Sequence, residues 1–299
     1  MAVERNLVLT YLALVLIWAT TPLAIVWSVT EIAPLWGLVL RFALALPLLL
    51  LVLFALRIRV PLHPQALHSY LAGASSMAVC QFFTYLATEY LSSGIIALMF
   101  GFAPIVAGII GWLVFGLRLR ALQWAGLFVA IGGLLIIFLQ GGEASLHPVG
   151  LLIMVASLLI YASSIFWVKH VNAPISPMAQ AAGSILVSSL LCCLLLPFIW
   201  DVRPTEIPSP RTLLALGFAS TVATIVGMLC YFRLIQNVSA ATISLTTVIT
   251  PMFALAIGVV FNGEHIYPAL VIGSAIAVAG LLLYFSREIA QLRHKQLQS

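Results

Sequence analysis

Ten runs of apolar residues follow one another along this chain, separated by short breaks. A helix that crosses a bilayer needs about 20 mainly apolar residues, so a chain written this way folds within lipid. The runs are 7–29, 34–56, 68–88, 91–116, 122–139, 149–169, 177–200, 211–232, 239–262 and 266–286. Turn formers or charges fill the breaks, as from Arg57 to Gln65, Gly141 to Pro148, Asn172 to Pro177 and Asp201 to Pro210. Charged residues are 7% of the chain, against about 25% in soluble domains, too few to cover a water-facing surface. The first run is longer than the apolar core of a cleavable signal peptide, about 7–15 residues. It reads as a retained span, and no segment is long or polar enough for a soluble domain.

Laying the runs out as ten alternating crossings sorts the charges. Ten basic residues, from Arg5 to Lys295, fall on the N-terminal side, and only Arg203 and Arg211 fall opposite. Glu31, Glu89, Glu143, Asp201, Glu206 and Glu264 lie on that opposite side. Cytoplasmic loops carry the excess of Lys and Arg, so both termini read as cytoplasmic. The net charge of +5 is thereby explained by topology, and no nucleic-acid partner is needed.

A second regularity is a repeat. LMFGFAPIVAGIIGWLVFG from Leu98 has a variant, LTTVITPMFALAIGVVFNG, from Leu245. At a constant shift of 147, Ser92 meets Ser239, Pro104 meets Pro251, Gly111 meets Gly258 and Gly116 meets Gly263. Gly126 meets Gly273, Gly133 meets Gly280 and Phe138 meets Phe285. A weaker echo pairs IWATTPLA from Ile17 with IYASSIFW from Ile160. Five crossings per unit is an odd number, so the second unit enters the membrane from the other side. The fold expected is all-α and integral to the membrane: ten transmembrane helices in two inverted five-helix repeats, 1–140 and 149–286, with a cytoplasmic tail over 287–299. Inverted repeats place a site near the midplane, between the halves. Proline frees the carbonyl four residues back, here those of Phe100 and Thr247. Pro104 and Pro251 therefore read as matched kinks facing protein or a cavity, where a freed carbonyl is tolerated.

The long stretch LATEYLSSGIIALMFGFAPIVAGIIGWLVFG from Leu86, with LQWAGLFVAIGGLLII from Leu122, resembles a known family. So do VSAATISLTTVITPMFALAIGVVFNGE from Val238, the 273–282 stretch, Trp18 and the Arg41-Phe42 pair. The chain is similar to EamA-type members of the drug/metabolite transporter superfamily, over nearly its whole length. One departure is the Gly263-Glu264 pair, which has Gly116-Leu117 opposite it. The resemblance implies a secondary transporter in a plasma membrane, a bacterial inner membrane by kinship. It would export small organic metabolites by alternating access, driven by a coupling proton or an exchanged solute. There is no G-x-x-x-x-G-K-[ST] nucleotide-binding run.

The polar residues in the apolar runs mark the candidate site. Arg41, a third of the way into the second run, must face protein or water. It suits a substrate carboxylate, a gating pair with Glu31 or Glu89, or carbonyls at the helix end. Gln81, Tyr85 and Glu89 share one helical stripe, which reads as cavity lining or as interhelical hydrogen bonding. Trp18 and Thr21 in the first unit, and Tyr161 and Ser164 in the second, set an aromatic ring beside a hydroxyl. That combination suits an amphipathic ligand. Phe100, Thr246 and Thr247 lie near the freed carbonyls, although threonines in helices also bond their own backbone. The substrate-facing set is thus Trp18, Thr21, Arg41, Gln81, Tyr85, Phe100, Tyr161, Ser164, Thr246 and Thr247, with Pro104 and Pro251 at the kinks. Histidines and the four cysteines lack metal-ligand spacing, so neither a metal nor another cofactor is expected. HExxH, GxSxG and paired intramembrane acids are missing, which argues against an enzyme. A multiply anionic ligand would want several buried cations, and only Arg41 is available. The small amino-acid-like or amphipathic solute is preferred on that ground. A lipid flippase and a non-transporting membrane partner or receptor are the alternatives.

Overall fold

The computed structural model describes residues 2–116, 118–140, 147–237 and 240–286. Met1, Leu117, residues 141–146, Val238, Ser239 and residues 287–299 lie outside the described residues. Among the described residues the protein is all-helical, without strands. In chain order the helices are α1 (Ala2–Ser28), α2 (Pro34–Ala55), α3 (Pro64–Ala74), α4 (Cys80–Ala87), α5 (Ser93–Gly101), α6 (Ala103–Phe115) and α7 (Ala121–Gln140). They continue as α8 (Pro148–Val171), α9 (Pro177–Ile199), α10 (Pro210–Phe218), α11 (Gly227–Asn237), α12 (Ala240–Asn262) and α13 (Pro268–Tyr284). A π-helical segment, Ser75–Val79, joins α3 to α4, and another, Ala219–Val226, joins α10 to α11. Among the described residues, seven stretches are long and apolar enough to cross a membrane, and Thr246–Asn262 and Pro268–Tyr284 are shorter apolar helices. The remaining run expected from sequence, 68–88, is helical from Pro64 to Ala87 but carries more polar side chains.

Local chemistry explains the ends. The helices α2, α3, α8, α9, α10 and α13 all start on proline, where a missing N–H costs nothing and φ is preset. Ser92 and Ser176 accept from the third backbone N–H beyond them, the ordinary N-cap bond. Gly116 and Gly263, partners under the repeat shift, both adopt positive φ, 65° and 62°. A left-handed residue ends a helix without a Cβ penalty, so this matched pair is a matched pair of helix stops.

The two prolines stand differently in their helices. At Pro104 the helix breaks: α5 stops at Gly101, Phe102 turns, and α6 restarts at Ala103. Pro251 sits inside the continuous α12. The carbonyl freed there, that of Thr247, faces Gly101, whose missing side chain leaves the space: a Cβ built on Gly101 would stand 3.4 Å from it.

Packing crosses between the halves. Helices α7 and α13 meet through glycines, Gly126 on the Gly280 carbonyl and Gly133 on that of Gly273. Index rises along one helix as it falls along the other, so the two run antiparallel. The 147-residue shift exchanges these contacts, carrying Gly126 onto Gly273 and Gly133 onto Gly280. Helices α5 and α12 also cross antiparallel, with Gly94 beside Leu255 and Gly101 beside Pro251. Where α1 joins that crossing, the contact is made by Ala19, Ala97 and Ala254. Small residues let helix backbones approach in lipid, where packing replaces the hydrophobic drive. The outer surface carries Phe54, Phe198 and Leu139, 84%, 85% and 73% exposed, a coat suited to acyl chains.

This packing makes a test. A Cβ on Gly126 would stand 2.6 Å from both the Gly280 carbonyl and the Tyr284 nitrogen, whereas one on Gly132 meets nothing within 4 Å. Gly126→Ala is expected to destabilise by about 1–3 kcal/mol, as overpacking does, and Gly132→Ala to leave stability unchanged or raised. Melting in detergent, followed by tryptophan fluorescence, checks the contrast.

Candidate functional site

Arg41 is buried, 6% exposed, and holds two contacts that span the halves. Its Nε donates to the Thr224 Oγ1 at 3.1 Å, and its Nη1 donates to the Gln81 Oε1 at 3.4 Å. Each partner belongs to a helix with a π-helical segment. Thr224 lies within one, and Gln81 follows the other by two residues. The segments correspond: the repeat shift carries 75–79 onto 222–226. π-turns alter which side chains face inward, and they recur at functional positions. The Thr224 hydroxyl donates to the Ala219 carbonyl five residues back, at 2.8 Å. Its lone pairs are thereby left to accept from Arg41. The guanidinium also lies 6.0 Å from the Phe42 ring centroid. Among the described residues no carboxylate pairs with it: Glu89 is exposed, and Glu31 accepts from the Ser209 N–H at 2.6 Å. Hydrogen bonds from Ser209 hold the Glu31 carboxyl below its ordinary range.

A guanidinium has five N–H donors, and two are engaged here with neutral acceptors. A buried charge left in this condition is costly. A negatively charged acceptor beside the guanidinium would offset that cost.

Aromatic rings gather nearby. Trp18 stands 5.3 Å from Tyr231, tilted by 42°, and Phe100 stands 6.3 Å from Tyr161, edge to face. Tyr161 lies within electrostatic reach of Tyr231, so the two pairs are neighbours. Tyr231 follows Thr224 by seven residues, about 10 Å along a helix. Between them Gly227 packs against Ile17 and the Trp18 indole nitrogen. One end of this constellation is cationic and the other aromatic, with α1, α2, α4, α5, α8 and α11 contributing.

Other expected residues take other places. The Thr21 hydroxyl donates to the Ile17 carbonyl at 2.6 Å, and that of Ser164 donates to the Tyr161 carbonyl at 2.9 Å. Both satisfy their own helices. Tyr85 is fully buried against the Trp36 and Phe42 cluster, and its hydroxyl has no partner among the described residues. The stripe of three ends early, because α4 stops at Ala87 and Glu89 lies in the following turn. Thr246 is buried and Thr247 half-buried, and both are engaged with neighbours. A cavity of about 20 Å³ is lined by Leu49, Ile185, Leu229 and other apolar side chains and includes none of the expected residues. No group of three or more metal-ligating side chains forms among the described residues, and the cysteines described are free. Thr224 and Tyr231 escaped the sequence reading. The hydroxyl-rich run ASTVATIV was the available signal for the first, and the repeat position of Thr84 was the signal for the second.

Comparison with known proteins agrees with this architecture. The model of the EamA-like transporter family matches residues 6–139 and 148–286. An uncharacterized inner membrane transporter of Escherichia coli, YedA, is 28% identical over 84% of this chain and 81% of its own length. Protein PagO of Salmonella typhimurium is 26% identical over 90% and 86%. A probable terminal-alkyne amino-acid exporter of Streptantibioticus cattleyicolor is 22% identical over 75% and 74%. A solved crystal structure at 18% identity superposes with a TM-score of 0.68 over 99% of both chains, which is a likeness of fold. With the family model covering nearly the whole chain, this multi-pass membrane protein belongs to the EamA-like transporter family.

Proposed function

We propose that the protein is a secondary transporter that exports small amino-acid-like or amphipathic metabolites by alternating access. Its units are residues 1–140 and 149–286, each crossing the membrane five times in opposite senses, with both termini cytoplasmic. The antiparallel α7–α13 and α5–α12 crossings support the inversion, since corresponding helices of inverted units must oppose one another. The name of the Escherichia coli relative supports a bacterial inner membrane. Transport is coupled to a proton or an exchanged solute.

The observation that carries this reading is Arg41, a buried cation held by Gln81 from one half and Thr224 from the other, with no carboxylate beside it among the described residues. A substrate carboxylate completes that site, and the Trp18, Tyr231, Tyr161 and Phe100 rings take the apolar part. Moving one half against the other separates Gln81 from Thr224, so binding at Arg41 is sensed by both. A single carboxylate satisfies this buried cation.

Purified protein in liposomes tests the reading by uptake of labelled neutral amino acids, their decarboxylated amines and labelled lipid. Amino-acid flux is expected without lipid flux, and the amines are expected to move poorly. Arg41→Met is expected to lower flux about 10- to 100-fold, the cost of one charge-assisted contact of about 1.5–3 kcal/mol. It should still fold, since it removes a buried charge instead of stranding one. Lipid crossing with no solute flux would establish the flippase alternative.

Tyr85 gives an independent check. Its hydroxyl has no partner in this conformation, so Tyr85→Phe is expected to leave the melting temperature unchanged or higher. Flux that falls in this variant at unchanged stability places the hydroxyl in the transport cycle; unchanged flux removes Tyr85 from the site.

A further inference from the structure

Two exposed arginines stand where α2 ends. Among the described residues, neither the Arg57 nor the Arg59 guanidinium has a hydrogen bond or an ion pair. Arg57 also holds an uncommon backbone conformation. Its φ of 52° is left-handed, as are those of Gly116 and Gly263 at their own helix ends. The local bonds explain the turn: the Arg57 N–H donates to the Phe54 carbonyl at 3.3 Å, and the Ile58 N–H donates to the Leu53 carbonyl at 3.0 Å. Such a pair of bonds is a common helix stop around a left-handed residue. Glycine fills that position with less strain, so the turn itself does not call for a guanidinium. A cation does suit the negative end of a helix, but that role is indifferent to what lies outside the protein.

Two hollows adjoin beside these arginines. The first is the apolar cavity of about 20 Å³, which α2 lines with Leu49 and Leu53, α9 with Ile185 and α11 with Leu229, and which Ile58 closes. It has room for about one water-sized group, and a lining this apolar takes a methylene in place of water. The second is an open groove lined by Leu53, Phe54, Ala55, Arg57, Ile58 and Arg59. Leu53 and Ile58 belong to both, and the bond between their backbones holds that shared wall in place. Next to the groove α2 exposes Leu51 and Phe54, 63% and 84%, on the apolar stretch long enough to cross a membrane. An apolar slot and a cationic groove therefore meet at the level where α2 leaves the lipid.

We propose that this end of α2 binds an anionic phospholipid, with its phosphate on Arg57 and Arg59 and part of an acyl chain in the slot. A guanidinium takes phosphate oxygens through paired N–H donors. Basic residues beside a span attract the anionic headgroups of the cytoplasmic leaflet, and the topology proposed above puts the end of α2 at that leaflet. The slot makes this a site and not a diffuse attraction, because it meets the chain of the same molecule whose headgroup the arginines meet. Met178, Ala182 and Ile185 of α9 line the slot opposite α2, so a bound lipid touches both halves. Such a site needs an anionic leaflet at this end of α2 and no particular solute.

The test titrates the purified full chain in detergent with dioleoyl phosphatidylglycerol or dioleoyl phosphatidylcholine and counts bound lipid by native mass spectrometry. The phosphatidylglycerol is expected to bind in preference. Arg57→Gly and Arg59→Gln are each expected to weaken its binding about 5-fold, and together about 30-fold, the usual worth of basic residues near anionic lipid. Arg57→Gly places glycine in the left-handed position, so its melting temperature is expected to hold or rise, which separates lost binding from lost fold. Arg120→Gln removes another exposed arginine from the same side of the proposed topology and is expected to bind lipid as the parent does. Glycerol 3-phosphate at the same concentration, a headgroup without chains, is expected not to displace the lipid. Equal binding of the two lipids, an equal loss in Arg120→Gln, or displacement by glycerol 3-phosphate overturns the proposal. The lipid site and the transport reading stand or fall separately, because the readout contains no solute flux.

Discussion

A bilayer interior offers no partner to a backbone N–H or C=O, and each one left bare costs several kcal/mol. That constraint turns each apolar run of this chain into helix, and it fixes where helix is allowed to fail. The break at Phe102 lies inside the protein, and the Thr247 carbonyl freed by Pro251 is covered by Gly101. Most hydroxyls at depth are spent on their own helices, as at Thr20, Thr21, Ser188 and Ser220. With those groups satisfied locally, the few polar side chains that reach across helices are the informative ones. They include Arg41 with Gln81 and Thr224, Gln180 with Ser69, Ser157 with Thr84, and Glu264 with Ser93.

The helical runs were legible because a period of apolar residues and proline or glycine stops are local signals. The matched glycines were legible as a pattern, but their meaning was not. Gly116 and Gly263 stop helices, whereas Gly126, Gly133, Gly273 and Gly280 form one contact that the repeat shift exchanges. Pro104 and Pro251 looked alike in sequence and differ in structure, because a proline only removes one bond. Whether the helix then breaks or continues depends on what packs against it. The π-helical segments, Ser75–Val79 and Ala219–Val226, were not legible from the apolar runs.

Within the candidate site, residue type was more legible than residue role. Arg41 stood out because a charge is rare in such a run, and the structure gives it partners from both halves. Thr21, Ser164 and Thr224 all donate their hydroxyls to carbonyls of their own helical segments, but the Thr224 hydroxyl also accepts from Arg41. What separates them is the π-turn, which aims the Thr224 donor at Ala219 and its lone pairs at the guanidinium. Tertiary geometry of that kind is invisible to spacing alone. The same holds for Glu264, which in sequence was a surface acid that broke the repeat.

The account stands on the seam between the halves being reached by solute from each side in turn. Its most direct measurement is labelling of Trp18→Cys by a membrane-impermeant thiol reagent, applied from one face or the other of sealed vesicles, in a chain lacking Cys193 and Cys230. The account predicts that this position reacts from both faces, and that a transported solute shields it from both. Reaction from neither face, or from a single face whatever solute is present, would contradict it.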